Sequence, residues 1–209
     1  IQINGQEVSV AATEKIEIID SNITNINIGL KHLKTFDLKL EKFITKVVVQ
    51  NNKGTSVSEY NDATLAKTEI HAKQISGTTV IVEYKIRVTN VGEVDGYAKK
   101  IVDYMSTDYS FSSQLNSDWY KTGNYLYNAS FANEKIKPGE TKEIKLVLTK
   151  TMTENNTGLV NNTAEIAESY NEQGIKDKNS TEANNVKGEN DQGAADLIIT
   201  IKTGEKISY

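Results

Sequence analysis

Apolar and polar side chains alternate one by one along most of the chain, and no stretch of about ten residues carries a helical period. The clearest strand is predicted over Thr79–Asn90. There Val80, Val82, Tyr84, Ile86 and Val88 share one face, and Glu83, Lys85, Arg87 and Thr89 share the other. That is the half-buried pattern of an antiparallel sheet. Similar strands are predicted over Phe36–Ile44, Tyr97–Met105, Glu143–Leu148, Leu159–Ile166 and Leu197–Ile201. Asn90–Gly92, Pro138-Gly139 and the polar stretch Asn171–Asn190 read as turns and loops between them. Many strands rich in β-branched residues and almost no helix signal predict an all-β protein, an Ig-like antiparallel β-sandwich.

The opening segment has a different pattern. Asn4-Gly5 is a type I′ hairpin signal, with short strands predicted around Glu7–Val10 and Lys15–Ile19. Such a segment is too short for a core of its own. We therefore expect 1–34 to be the tail of a preceding module or a docked β extension, 35–203 to be the sandwich, and 204–209 to lead out of it. The boundary is expected near Lys31–Thr35. A start at Ile1 without a leader-like stretch suggests a fragment or processed ectodomain.

Composition narrows the function classes. The chain has 209 residues, 37% hydrophobic and 25% charged, which suits a packed core rather than wholesale disorder. Its net charge of −4 speaks against a nucleic-acid partner. Arg87 is the single arginine, so bidentate phosphate recognition has little material. Two histidines and no cysteine leave little for zinc sites, thiol catalysis or disulfides. No apolar run reaches the roughly 18 residues of a membrane helix. His32 and His71 lie apart with no nucleophile pattern nearby, and no phosphate-binding glycine loop or dinucleotide fingerprint occurs. No cofactor is expected, and no enzyme in the ordinary sense.

From Phe36 onward four motifs follow one another: FDLKLEKFITKV at Phe36–Val47, VEYKIRVTNVGEVDGYAKKIVDYM at Val82–Met105, KPGETKEIKLVL at Lys137–Leu148 and VNNTAEIA at Val160–Ala167. In this order they resemble the conserved-repeat and fimbrial isopeptide-forming domains of Gram-positive surface proteins, relatives of the Cna-type adhesin modules. The resemblance covers nearly all of the chain beyond 1–34. Ser106 departs from it, standing where the family often has proline after the Asp-Tyr pair. The resemblance implies an extracellular module at the cell surface or cell wall, with neighbouring modules of the same protein as partners. It also implies a spontaneous amide cross-link between Lys42 and Asn162, with Asp103 as the catalytic acid. Not every repeat of this broad family carries that bond.

Strand parity bears on the same residues separately. Lys42 shares a face with Phe36, Leu38, Leu40 and Ile44; Asn162 shares one with Val160, Ala164 and Ile166. Asp103 has the parity of Tyr97, Ile101 and Met105. Taken singly, such a lysine snorkels from a strand end, such an aspartate caps a buried amide and such an asparagine satisfies a loop. All three together, in the family's order, point to the cross-link. A bulge shifts any of these assignments by one.

Other candidates have plainer alternatives. Trp119, Tyr120, Tyr125 and Tyr127 form a possible platform for a host protein or glycan, although aromatics also fill sandwich cores. Asp177, Asn179, Glu182, Glu189 and Asp191 offer oxygen ligands for calcium, but they lack EF-hand spacing and lysines intervene. A solvated loop without metal is expected there. Sequons at Asn22, Asn128, Asn155, Asn161 and Asn179 are expected by chance in so asparagine-rich a chain. The leading expectation is thus a stalk module. A ligand-binding adhesin domain is the chief rival, and an assembly subunit whose 1–34 segment completes a neighbour's sheet is the third.

Overall fold

The computed structural model describes residues 2–3, 6–7 and 32–203. The chain divides into two units, Ile1–Lys34 and Thr35–Tyr209. In the first, β1 (Gln2–Ile3) runs antiparallel to β2 (Gln6–Glu7), with Gln2 opposite Glu7 and Ile3 opposite Gln6. The two strands flank Asn4-Gly5. The strand expected at Glu7–Val10 falls beyond Glu7, and that at Lys15–Ile19 falls wholly, outside the described residues.

The second unit is a β-sandwich. Its strands are β3 (Leu38–Asn51), β4 (Gly54–Ala63), β5 (Leu65–His71), β6 (Thr79–Asn90), β7 (Tyr97–Tyr104), β8 (Ser110–Phe111), β9 (Trp119–Thr122), β10 (Tyr125–Asn128), β11 (Thr141–Thr151), β12 (Gly158–Tyr170) and β13 (Gln192–Lys202). One sheet has the order β4-β3-β6-β11-β8 and the other the order β5-β13-β12-β7-β10-β9. β6 spans the predicted Thr79–Asn90, and Val80, Val82, Tyr84, Ile86 and Val88 are all fully buried. They pack with Leu38, Leu40 and Ile44 of β3 and with Ile101, Leu126, Val160, Ala164 and Leu197 of the facing sheet in one apolar cluster.

Every neighbouring pair is antiparallel except β13 and β5, which run parallel with Asp196 opposite Leu65. The exception follows from the route of the chain. After β4 it does not turn back but crosses at Asp62–Thr64 into the other sheet, where the amide of Asp196 donates to Thr64 O at 2.9 Å. Asp62 adopts the left-handed conformation (φ 54°) at this crossing. Its carboxylate pairs with Lys85 and, at 2.8 Å, with Arg87. Arg87 is therefore engaged in holding this corner.

The expected turns are fixed by side chains. Asn90 is fully buried, and its amide nitrogen donates at 2.8 Å to both Val94 O and Ile136 O. Its side-chain oxygen accepts from Gly92 N at 3.0 Å. Gly92 lies so close to the start of β3 that a Cβ there would come within 2.7 Å of Asp37 N. At Pro138-Gly139, Gly139 has φ 79° and Glu140 N donates to Lys137 O at 2.8 Å, which closes the turn into β11.

Replacing Asn90 with alanine takes the side-chain donor from the buried carbonyl of Val94 and one of two bonds each from Ile136 O and Gly92 N, which keep Gly96 N and Asp37 O. Asn90→Ala should therefore cost about 1–3 kcal/mol, read as a lower urea midpoint with an unchanged m-value.

Candidate functional site

Three polar side chains meet inside the apolar core: Lys42 of β3, Asp103 of β7 and Asn162 of β12. Their positions follow from strand geometry. On β3 the alternation that buries Leu38, Leu40 and Ile44 also buries Lys42, which is 1% exposed. A register shift against both neighbours comes only between Ile44 and Lys46, beyond the lysine. On β12, Val160, Asn162, Ala164 and Ile166 are all buried, so Asn162 faces inward while Asn161 is exposed. β7 lies beside β12 with Asp103 opposite Ala164, which sets Asp103 diagonal to Asn162.

One expected parity partner of Asp103 fails. Tyr97 is only half-buried, and Ala98 takes the inward position at that end of β7. Register shifts between Ile166 and Glu168, and again between Glu168 and Ser169, switch faces there. Ile101 and Met105, on the near side of the irregularity, keep the inward face with Asp103.

The carboxylate oxygen Oδ2 of Asp103 is the meeting point. Lys42 Nζ forms an ion pair and hydrogen bond with it, and Asn162 Nδ2 donates to it at 3.4 Å. Two buried acceptors are left without donors, Asp103 Oδ1 and Asn162 Oδ1. The ring of Tyr84 lies under the lysine, 4.6 Å from Nζ to its centroid. The Tyr84 hydroxyl is hydrogen-bonded to that of Tyr109 at 2.8 Å, with the rings edge to face. Tyr84 reads in the sequence only as a core residue. The signal for its place is the pairing of Lys42 with Ile86, which puts Tyr84 diagonal to the lysine on the inward face.

Burial sets the electrostatics. Desolvation holds the Lys42 ammonium below its ordinary pKa, with Asp103 pulling the other way. Desolvation also pushes the Asp103 carboxyl above its usual range, opposed by Lys42 and Asn162. Both shifts favour the neutral amine and the neutral acid. The arrangement therefore holds a nucleophile, a proton donor and a carboxamide together in one buried place.

Lys42 and Asn162 belong to different sheets, so a bond between them would tie one sheet to the other. At this point β13 also approaches β3 closely. A Cβ on Gly193 would lie 2.7 Å from Lys42 N, and Leu40 N donates to Asn190 O at 2.8 Å. A second inward lysine, Lys150 of β11, is also 1% exposed. Its Nζ bonds to Asp108 at 2.6 Å, and the Asp108 side chain is 45% exposed. Inward parity of a lysine does not by itself mark a reactive constellation.

The four aromatic candidates divide between two faces. Trp119 is buried, and its Nε1 donates to Lys145 O at 2.8 Å. Asn116 works beside it: Val147 N donates to Oδ1 at 2.7 Å, and Nδ2 donates to Val147 O at 2.8 Å. Together they occupy backbone groups of β11 near the short strand β8, which pairs only with Leu148 and Thr149. Trp119 thus serves packing and edge protection. Tyr120 and Tyr127 stack on the outer side of the β9–β10 hairpin at 5.4 Å, while Tyr125 packs edge-on against Tyr104 at 5.6 Å.

The loop expected to be solvated is partly built in. Asp177 accepts from Leu38 N at 3.0 Å and Ser180 Oγ at 2.7 Å, and Glu182 accepts from Ser169 N at 2.6 Å. Asn179 N donates to Asp177 at 3.3 Å. Asp191 is buried, and burial, with Glu165, Glu189 and Asp177 adding to it, pushes its pKa up to about 7.

No protein-family model matches the sequence, and no curated protein does. Among the solved structures that resemble it are two of one domain. One is the solution NMR structure of the CARDB domain of PF1109 from Pyrococcus furiosus, with a TM-score of 0.36 and 14% identity over 81% of this chain and 100% of that one. The other is the crystal structure of the same domain in complex with di-metal ions, with a TM-score of 0.34 and 15% identity over 82% of this chain and 100% of that one. Likeness at this level carries nothing about the site.

Trp119→Ala should cost about 3–5 kcal/mol, as loss of a buried large aromatic does. Tyr120→Ala, at a half-exposed position, should cost under about 1 kcal/mol. Equilibrium urea unfolding of the two variants reads the difference.

Proposed function

We propose that this chain is a structural stalk module of a Gram-positive cell-surface adhesin or pilus-like protein, clamped by a self-formed Lys42–Asn162 isopeptide bond. The convergence of a buried lysine, a buried aspartate and a buried asparagine on one carboxylate oxygen carries this reading. The reaction begins from the neutral pair, in which the proton of Lys42 has passed to Asp103. Asp103 donates to the Asn162 carbonyl oxygen, one of the two acceptors otherwise left without a donor. The Lys42 Nζ lone pair attacks Asn162 Cγ and a new C–N bond forms. The bond from Cγ to Nδ2 breaks, and Asp103 relays a proton from the attacking nitrogen to the departing one. Ammonia leaves, and the products are a secondary amide and a regenerated carboxyl group.

No oxidant, metal or cofactor enters this balance. Contact within the core supplies the effective concentration that so slow a reaction needs. The protein reacts once with itself and turns over no substrate, so it is not an enzyme in the ordinary sense. The bond closes a loop of about 120 residues and, by analogy with a disulfide, stabilises by roughly 4–5 kcal/mol. Reducing agents do not open it. Such a clamp suits a module outside the cell that carries tension between neighbouring modules of the same protein, and the absence of cysteine is in keeping with it.

A second reading rests on the outer tyrosines. Tyr120 and Tyr125 are each about half exposed, and with Tyr127 they present aromatic surface for a host protein or glycan. A binding screen with the wild type and Tyr120→Ala separates a stalk, which binds nothing, from an adhesin domain.

Intact mass under denaturing conditions tests the cross-link. The wild type should weigh one ammonia less than its sequence, whereas Lys42→Ala and Asp103→Ala should show their full calculated masses. A full-mass wild type contradicts the mechanism.

A further inference from the structure

A cluster of three carboxylates lies where the late loop returns to the sandwich. Glu165 stands on β12, and Asp191 immediately precedes β13, where its carbonyl accepts from Ile166 N at 3.0 Å. Glu189 arrives from the loop. One oxygen from each of the three lies within 4.8 Å of the others. Glu165 and Asp191 are buried, and Glu189 is half-buried.

Two of the three are already supplied with donors. Glu165 accepts from Asn184 N and Asn185 N, each at 2.9 Å, and from the Tyr104 hydroxyl at 2.5 Å. Glu189 accepts from Thr181 N and Asn184 Nδ2, each at 3.0 Å. Asp191 is 2% exposed, and neither of its carboxylate oxygens has a partner. Asn190 Oδ1, one residue earlier, is likewise buried without a donor. Among the described residues, no lysine or arginine pairs with any of the three acids. A buried carboxylate with no donor, beside two others and no counter-charge, is a costly arrangement that either a proton or a bound cation relieves.

We propose that Glu165, Glu189 and Asp191 bind one divalent cation of the calcium type, which fastens the late loop to the start of β13. The donors are all oxygen, and histidine and cysteine are absent from the cluster, which selects a hard cation over zinc or copper. Calcium tolerates irregular geometry and completes its shell with carbonyls and water, so three carboxylates from two segments, β12 and the chain entering β13, suit it better than magnesium. The backbone amides and the tyrosine hydroxyl on Glu165 and Glu189 act as the supporting shell that aims the ligand oxygens. The unpaired Asp191 is the ligand that most needs the ion. The site is independent of the Lys42 cross-link, since the two share no residue.

Calorimetric titration of the EDTA-treated, dialysed chain with calcium chloride tests the site, alongside thermal unfolding in calcium and in EDTA. One ion should bind per chain, and calcium should raise the Tm of the wild type by mass action. Asp191→Asn and Glu189→Gln should each weaken binding by at least about tenfold and abolish the calcium-dependent rise. Glu189→Gln changes a half-buried loop residue, so it reports on the site even if Asp191→Asn does not fold. No heat and no change in Tm at millimolar calcium overturns the proposal. Binding that survives in both variants also overturns it.

Discussion

The sandwich places an ion pair where its strand pattern asks for hydrocarbon. Lys42 and Asp103 have no solvent-exposed side-chain surface, and the nearest aid to the lysine is the face of Tyr84. Taking both charges out of water costs more than their attraction returns unless the surroundings are well satisfied, and here two acceptors beside them have no donor. An amine and a carboxyl group that exchange their proton escape much of that penalty. That exchange also makes the amine a nucleophile and the carboxyl a proton donor. The strain of burying the trio and the reactivity proposed for it thus have one origin, desolvation by the two sheets.

The rest of the fold can be understood as what holds this desolvation in place. At Lys42, β3 pairs with β6 on one edge, while its pairing with β4 begins only at Ile44; β7 and β12 are neighbours in the facing sheet, each lying between two strands. The close passage of Gly193 past Lys42 N and the bond from Leu40 N to Asn190 O close the margin between the sheets. A link from β3 to β12 would join the two layers directly. Tension could then not separate the sheets by peeling one from the other without breaking a covalent bond.

Much of this was legible because burial acts on alternate residues. β6 keeps its alternation from Val80 to Val88, and Lys42 and Asn162 inherit their orientation from the apolar residues two positions away on either side. The pattern misleads where backbone pairing departs from regularity, as at Tyr97, where the irregular pairing of β7 with β12 transfers the inward position to Ala98. β4 escapes sequence reasoning for another reason. At the edge of its sheet it buries little, so Gly54–Ala63 shows no apolar stripe. β5 joins the opposite sheet in parallel through a crossover, which no local signal announces. Glu165 shows the limit most clearly: it has outward parity on β12, and the returning loop buries it from outside the sheet. Contacts made by irregular chain over long separations have no period to detect.

Peptide mapping of the folded, purified chain by tandem mass spectrometry tests the central claim most directly. The account predicts a branched peptide in which the Lys42 segment is joined through Nζ to the Asn162 segment, lighter than the two together by one ammonia. Recovery of both segments as separate, unmodified linear peptides would contradict it.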